Sequence, residues 1–142
     1  MNNLHRRNFI PLSLVALLTI IIAGCHSSND DRTDTINGIV LSSDIPLVET
    51  NVTIYSSSIA NGQTALGAAV TDANGMFSLS YSANLNSDSV IYLTTDGGQL
   101  SSTQQVLPDA FVLAVVIGTS PYAETVTLNE RTTVASAFAL AQ

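Results

Sequence analysis

Between residues 35 and 128, apolar and polar positions alternate in short runs broken by turn residues, the period-two signature of strands that bury one face. The runs predict strands near 35–42, 50–57, 64–71, 75–82, 89–96, 110–117 and 124–128. In the second, Val52 and Ile54 point to one side and Thr53 and Tyr55 to the other; in the fourth, Phe77, Leu79 and Tyr81 oppose Ser78 and Ser80. About seven such strands make an all-β chain, an Ig-like antiparallel β-sandwich over 35–128. The run from Ala110 to Ile117 is apolar on both faces, which predicts a central strand covered on both sides. Thr71-Asp72-Ala73-Asn74-Gly75 predicts a tight hairpin, because Asn and Gly both tolerate positive φ. Asp96-Gly97-Gly98 and Gly118-Thr119-Ser120-Pro121 mark two more reversals, with a surface loop over 99–108. In the terminal stretch 129–142, Asn129 is placed to cap a short helix over about 130–141, with Val134, Phe138 and Ala141 on one face that must pack on something.

The first 24 residues do not fit this pattern. Arg6 and Arg7 give a basic start, an apolar run follows from Phe9 to Ala23, and Ala23-Gly24 precede Cys25. That is the layout of an export signal; the run is shorter than the roughly 20 apolar residues a spanning helix needs, so a permanent anchor helix is the weaker reading. Ile22-Ala23-Gly24-Cys25 resembles the lipobox of bacterial lipoproteins. The resemblance implies cleavage between Gly24 and Cys25 and attachment of diacylglycerol to the Cys25 sulfur. Cys25 is the sole cysteine, so an internal disulfide is excluded, and acylation accounts for a lone thiol in an exported chain. Two or three acyl chains, at about 0.8 kcal/mol per buried CH₂, anchor a protein stably. Arg6-Arg7-Asn8-Phe9-Ile10 also looks like a twin-arginine export pattern, but the strongly apolar run favours the general secretory route. His26 rather than Asp follows the cysteine, which by the same resemblance favours the outer over the inner membrane of a Gram-negative envelope.

Beyond Cys25 the polar residues up to Asp34 read as a tether of at most about 3.3 Å per residue. Of the 4 basic and 11 acidic residues, only Arg32 and Arg131 lie beyond the expected cleavage point, while all 11 acids do, leaving a net charge of −9 and no Lys. Such a chain does not suit nucleic acid, whose phosphates need clustered cations. Length leaves room for one domain, and 46% hydrophobic against 11% charged residues excludes a disordered tail.

Three fragments in order, Ile36-Asn37-Gly38-Ile39-Val40, Pro46-Leu47 to Val52-Thr53-Ile54, and Thr71-Asp72 to Gly75-Met76-Phe77, resemble the carboxypeptidase regulatory-like domain, a transthyretin-like β-sandwich module. The resemblance covers roughly 35–97 and departs from the family's pattern at Glu49-Thr50, where the family usually has Gly-Ala. It implies a rigid spacer or binding module without chemistry of its own. On the residues themselves, Gly38 lets a neighbouring side chain approach the first strand, Pro46 fixes a loop, and Asp72 to Gly75 turns Phe77 inward. The segment Leu128 to Ser136 looks like one that leads into a larger following domain in some exported proteins, so an N-terminal targeting and spacer module of a longer enzyme or repeat protein is the second expectation.

The inventory for catalysis is thin. The only histidine after the expected cleavage point is His26, beside the anchor, so a Ser-His-Asp or Cys-His arrangement has no base within the domain. The abundant Ser and Thr read as solvent-facing strand and turn residues. Asp72, Asp88, Asp96 and Asp109 are read as solvated loop acids in preference to a Ca²⁺ site, and Glu49, Glu124 and Glu130 show no spacing that brings a carboxylate pair together. Tyr55, Tyr81, Tyr92 and Tyr122 offer a platform for a sugar or peptide, though cross-strand packing is the commoner role. No cofactor or metal is implied. The expectation is a non-enzymatic cell-envelope lipoprotein, held to the membrane through lipid on Cys25, with a protein or carbohydrate ligand as its open possibility.

Overall fold

The computed structural model describes residues 32–119 and 122–141; the expected signal segment, Gly24, Cys25 and the start of the tether lie outside the described residues, as do Ser120 and Pro121 of one expected reversal. The strands are β1 (Thr33–Ser42), β2 (Ile45–Val48), β3 (Asn51–Ser58), β4 (Gly62–Val70), β5 (Met76–Ser82), β6 (Val90–Asp96), β7 (Gly98–Leu100), β8 (Val106–Leu107), β9 (Ala114–Gly118) and β10 (Thr125–Leu128), followed by helix α1 (Glu130–Leu140). One sheet runs β10-β1-β2-β7-β8, with β5 also paired to β1; the other runs β4-β3-β6-β9. Their inner faces share one core. Ile36, Val40, Phe77, Leu79, Tyr81, Val126 and Leu128 come from the first sheet and Val52, Ile54, Ile91 and Leu93 from the second. The alternation that predicted these faces is followed residue by residue in β5, where Phe77, Leu79 and Tyr81 are buried and the residues between them exposed. The chain is therefore a mostly antiparallel β-sandwich with a short C-terminal helix.

All seven expected strands are present, and the differences have physical causes. β1 begins at Thr33, paired with Ser82, so Thr33 and Asp34 belong to the sheet rather than to the tether. β10 lies parallel to β1, Asn37 opposite Thr125, and breaks the otherwise antiparallel order. The Thr71 to Gly75 turn is not a hairpin: β4 pairs with β3 and β5 with β1, so the turn hands the chain from one sheet to the other. Asp72 closes it alone, its Oδ1 accepting from the backbone N–H of Asn74 at 2.8 Å and of Met76 at 2.9 Å. Gly97 and Gly98, both at positive φ, make a second such transfer from β6 to β7. The expected 99–108 loop thus contains β7 and β8, runs too short to register as alternation.

The apolar run from 110 to 117 is a strand only from Ala114, because Phe111 N–H closes a turn on the Pro108 carbonyl at 2.8 Å. β9 is an edge strand and not the expected central one, and α1 lies along its unpaired edge. The cover is polar at its contact points. Ala114 N–H donates to Thr133 Oγ1 and Val116 N–H to Ser136 Oγ, each at 2.9 Å, so two helix hydroxyls occupy the amides that would otherwise recruit another strand. The helix start is fixed as its sequence predicts: Asn129 Oδ1 accepts from Thr132 N–H and Thr132 Oγ1 from Asn129 N–H, both at 2.9 Å. Glu130 reaches across to the β1–β2 turn, accepting from Ser42 Oγ–H at 2.8 Å and Ser43 N–H at 3.0 Å. Burial pushes the Glu130 carboxyl up, but hydrogen bonds from its own N–H, Ser42 and Ser43 and the charge of Arg131 outweigh that and hold it below its ordinary value.

The face of Val134, Phe138 and Ala141, expected to pack either on one end of the sandwich or on a partner, does not pack on the sandwich. Val134 and Phe138 are each 70% exposed, because the face that carries Thr133 and Ser136 is the one turned inward.

Two backbone positions lead to a first expected outcome. A Cβ on Gly38 would lie 2.5 Å from the Phe77 ring and 2.7 Å from the Val126 carbonyl oxygen, so Gly38→Ala forces the core apart and costs about 1–3 kcal/mol. Glu49, where the resembled pattern has Gly, sits at φ 56. Glu49→Gly relieves a left-handed strain of about 1–2 kcal/mol against a glycine entropy cost of about 0.5–1 kcal/mol, for a net gain of about 1 kcal/mol or less. Urea denaturation midpoints should move in opposite directions for the two variants. A second outcome concerns the helix clamp: Ser136→Ala leaves the Val116 N–H without its acceptor and should cost about 1–3 kcal/mol in the same measurement, with amide exchange rising first along β9.

Candidate functional site

The strand registers define two ends. At one lie the Thr71–Gly75 turn, the β1–β2 turn and the helix start; at the other lie the start of β1, the end of β5, the β3–β4 hairpin and the helix C-terminus. The chain from Cys25 enters at the second end, where the Arg32 carbonyl accepts from Ala83 N–H at 2.7 Å.

A cleft of about 290 Å³ opens beside that entry, lined among others by Arg32, Asp34, Asn37, Tyr81, Tyr122 and Glu124. Strand pairing places Asp34 opposite Tyr81, and Tyr122 meets the Tyr81 ring edge-on with centroids 6.5 Å apart. Arg32 Nε bonds Asp34 Oδ1 at 3.0 Å; with the guanidinium side chain 73% exposed, this pair adds little stability and leaves other N–H groups to solvent or a ligand. Burial raises the Tyr81 hydroxyl above its ordinary pKa, with the charge of Asp34 and the Tyr122 phenol adding to the rise and Arg32 opposing it. Tyr122 is raised by burial and then by Asp34. At neutral pH both phenols therefore stay protonated, and the cleft presents hydroxyl donors, carboxylate acceptors, one cation and an aromatic wall. That set can hold a polar ligand by hydrogen bonds and ring contact. It contains no nucleophile paired with a base.

The same end carries a second hollow of about 580 Å³, between the β3–β4 hairpin (Ser57, Ser58, Ile59), Asp88, Val90, Tyr92 and Leu140. Tyr55 and Tyr92 sit directly opposite on β3 and β6 and stack at 5.4 Å. The four tyrosines thus form two separate pairs and no single platform. Burial raises the Tyr92 hydroxyl, as does the nearby Tyr55, while a hydrogen bond from Gln63 lowers it.

The candidate acids are scattered. Asp72 is spent on its own turn, Asp88 lies at the opposite end, and Asp109 lies beside Gly97 near Asp96. Among the described residues no group of three or more His, Cys, Asp or Glu is placed to hold a metal ion. Glu130 grips the β1–β2 turn, Glu124 lines the tyrosine cleft, and Glu49 lines a separate hollow beside Asp72 and Gln99. The expectation that Ser and Thr face solvent fails at Thr50, Thr71, Thr95 and Ser136, all buried. Thr71 Oγ1 donates to the Leu47 carbonyl at 2.8 Å and accepts from Thr50 N–H at 3.0 Å, and Thr95 Oγ1 accepts from Leu113 N–H at 3.1 Å. These hydroxyls replace backbone partners where the chain leaves its ladders. In the sequence Arg32 and Asp34 read as tether, and only the pairing of β1 with β5 brings them to Tyr81 and Tyr122.

No protein-family model matches the chain, and a search of curated proteins finds no match. Two solved structures are similar at the level of backbone shape. A 9R-lipoxygenase from Cyanothece PCC8801 is 19% identical with a TM-score of 0.43, over 69% of this chain and 16% of the lipoxygenase. An alternative pilotin of the type II secretion system from Vibrio cholerae is 14% identical with a TM-score of 0.42, over 69% of this chain and 95% of the pilotin. Likenesses at these scores carry no argument about function.

The cleft generates a third expected outcome. Tyr81, Tyr92 and Tyr122 all bind their protons more tightly folded than unfolded, so the folded state retains protons the unfolded state gives up. Stability from this source is complete below the ordinary tyrosine value near 10 and is lost as pH rises through the raised folded values. Phenolate absorbance should lag behind that of the denatured chain on alkaline titration, and Tyr122→Phe should flatten the decline in melting temperature above about pH 10.

Proposed function

We propose that the protein is a lipid-anchored component of a bacterial cell envelope, acylated on Cys25 after cleavage behind Gly24, and that its β-sandwich works by binding or spacing rather than by catalysis. The observation that carries this reading is the coincidence, around the chain's single cysteine, of a basic start, an apolar run of export length, the sequence Ile22-Ala23-Gly24-Cys25 and a polar stretch after it. The position of β1 supports it, since this strand begins eight residues beyond the cysteine and would hold the sandwich a short chain length from a lipid there. Among the described residues no helix is long and apolar enough to cross a membrane, so attachment through those residues' helices is not on offer. His26 directs the anchored protein to the outer membrane in a Gram-negative cell. Within the domain, the Tyr81–Tyr122 cleft is the place for a small polar or carbohydrate ligand.

The fourth expected outcome is that metabolic labelling with palmitate marks the wild-type protein and not Cys25→Ala, which keeps the uncleaved leader and runs larger on a denaturing gel. Equal labelling of the two, or a wild-type protein that is unlabelled and freely dissolved, overturns the reading.

A further inference from the structure

Three large apolar side chains stand in solvent at the tether end of the sandwich: Ile59 at the tip of the β3–β4 hairpin, 103% exposed, and Phe138 and Leu140 in the last helical turn, 70% and 65% exposed. Hairpin tip and helix end are adjacent, since Ile59 and Leu140 line one hollow. The register brings them to the end where Arg32 enters: Gly67 of β4 lies against the Ser80 carbonyl of β5, β4 and β5 run in opposite directions, and the hairpin therefore lies beyond Ser82, which pairs with Thr33.

We propose that this end is seated on the lipid bilayer, with Ile59, Phe138 and Leu140 entering the interfacial region of a zwitterionic lipid surface. The inference rests on acylation at Cys25. From Cys25 to Arg32 the chain spans at most about 25 Å fully extended, whereas the ten residues of β1 carry the opposite end about 33 Å further away. An anchored domain therefore holds this apolar end at high effective concentration against the lipid, where contacts too weak for free binding become occupied. Charge selects the lipid. With no Lys and a net of −9 beyond the expected cleavage point, the chain has no polybasic attraction to anionic headgroups, and burial of apolar side chains is the remaining driving force. The cost is small, because these residues are already desolvated poorly by the fold and gain by leaving water.

The chain contains no Trp, so a single indole reports its surroundings cleanly. Acylated, processed protein carrying Ile59→Trp, and separately Ala73→Trp in the exposed turn at the opposite end, is reconstituted into vesicles of phosphatidylcholine with a minor fraction of phosphatidylethanolamine. The indole at position 59 should shift to the blue and be quenched by brominated acyl chains; the one at position 73 should do neither. Adding Phe138→Ser and Leu140→Ser should abolish most of the quenching at position 59 while circular dichroism stays that of the folded domain. Equal absence of quenching at both positions on palmitate-labelled protein overturns the seating and leaves the lipoprotein reading standing. A wild-type protein that takes no label overturns both. A blue shift that depends on protein concentration and not on brominated lipid shows that a second copy covers the patch, and also overturns it.

Discussion

Two hydroxyls set how the helix lies along the free edge of the second sheet. β9 is an edge strand, and an edge strand with apolar residues and free amides is a template for aggregation unless something occupies those amides. Here Thr133 and Ser136 do so, one helical turn apart on α1, accepting from Ala114 and Val116. The helix must therefore turn a small, polar face inward, and its larger apolar residues are left outside. A helix that packed by apolar burial would show the reverse order. Because the capping box at Asn129 and the Glu130 contacts with the β1–β2 turn fix where the helix begins, its 11 residues have one direction to run. At 1.5 Å per residue they cover about 16 Å, towards the end where the tether enters.

The far end is held by a different economy of polar groups. There the chain changes sheets four times, at Glu49–Thr50, Thr71–Gly75, Gly97–Gly98 and between Leu107 and Ala114, and each change takes backbone groups off their ladders. Thr50, Thr71 and Thr95 return partners to them from buried positions, so a threonine at the end of a strand acts here as a piece of backbone. The same region contains Ser43, Asp44 and Glu49 at positive φ. Glu130 grips the first of these and Thr71 borders the last, with Glu49 N–H donating to the Thr71 carbonyl at 3.3 Å. Strain in non-glycine residues persists where the surroundings over-determine the backbone, and these two clamps are the surroundings.

What was legible in the sequence follows from the range of each signal. Alternation is local and depends only on which face is buried, so Val52, Ile54, Phe77, Leu79 and Tyr81 could be assigned to the core by inspection. Asn129 was legible as a cap because capping is settled within four residues. Pairing is not local. Nothing in Thr71 to Gly75 distinguishes a turn that joins paired strands from one that crosses between sheets, since Asp72 closes the same hydrogen bonds in both. Nor does the run from Ala110 to Ile117 reveal whether both edges of its strand pair with strands or one lies against a helix. The inward helix face is not legible, because the apolar spacing of Val134 and Phe138 competes with the hydroxyl spacing of Thr133 and Ser136, which stand three apart just as a packed face requires. The Tyr81–Tyr122 cleft needed Arg32 and Asp34, whose charge made them look like solvated tether.

The two ends of the sandwich are thus built for different tasks. Buried hydroxyls stitch the far end together, while the end where Arg32 enters holds the tyrosine cleft, the hollow of about 580 Å³, two tyrosine pairs and three exposed apolar side chains. If Cys25 carries lipid, the tyrosine cleft opens within about 25 Å of the bilayer, and any ligand it takes must be reachable at that height. A freely diffusing solute satisfies this only as one member of a wider class. Molecules that are themselves part of the envelope, such as surface sugars or the chains of neighbouring anchored proteins, are confined to that layer and meet the cleft at far higher local concentration. On the proposed anchoring, a short connection and a membrane-proximal cleft would select for envelope-bound ligands over soluble ones, without requiring high intrinsic affinity from a site whose ion pair lies open to water.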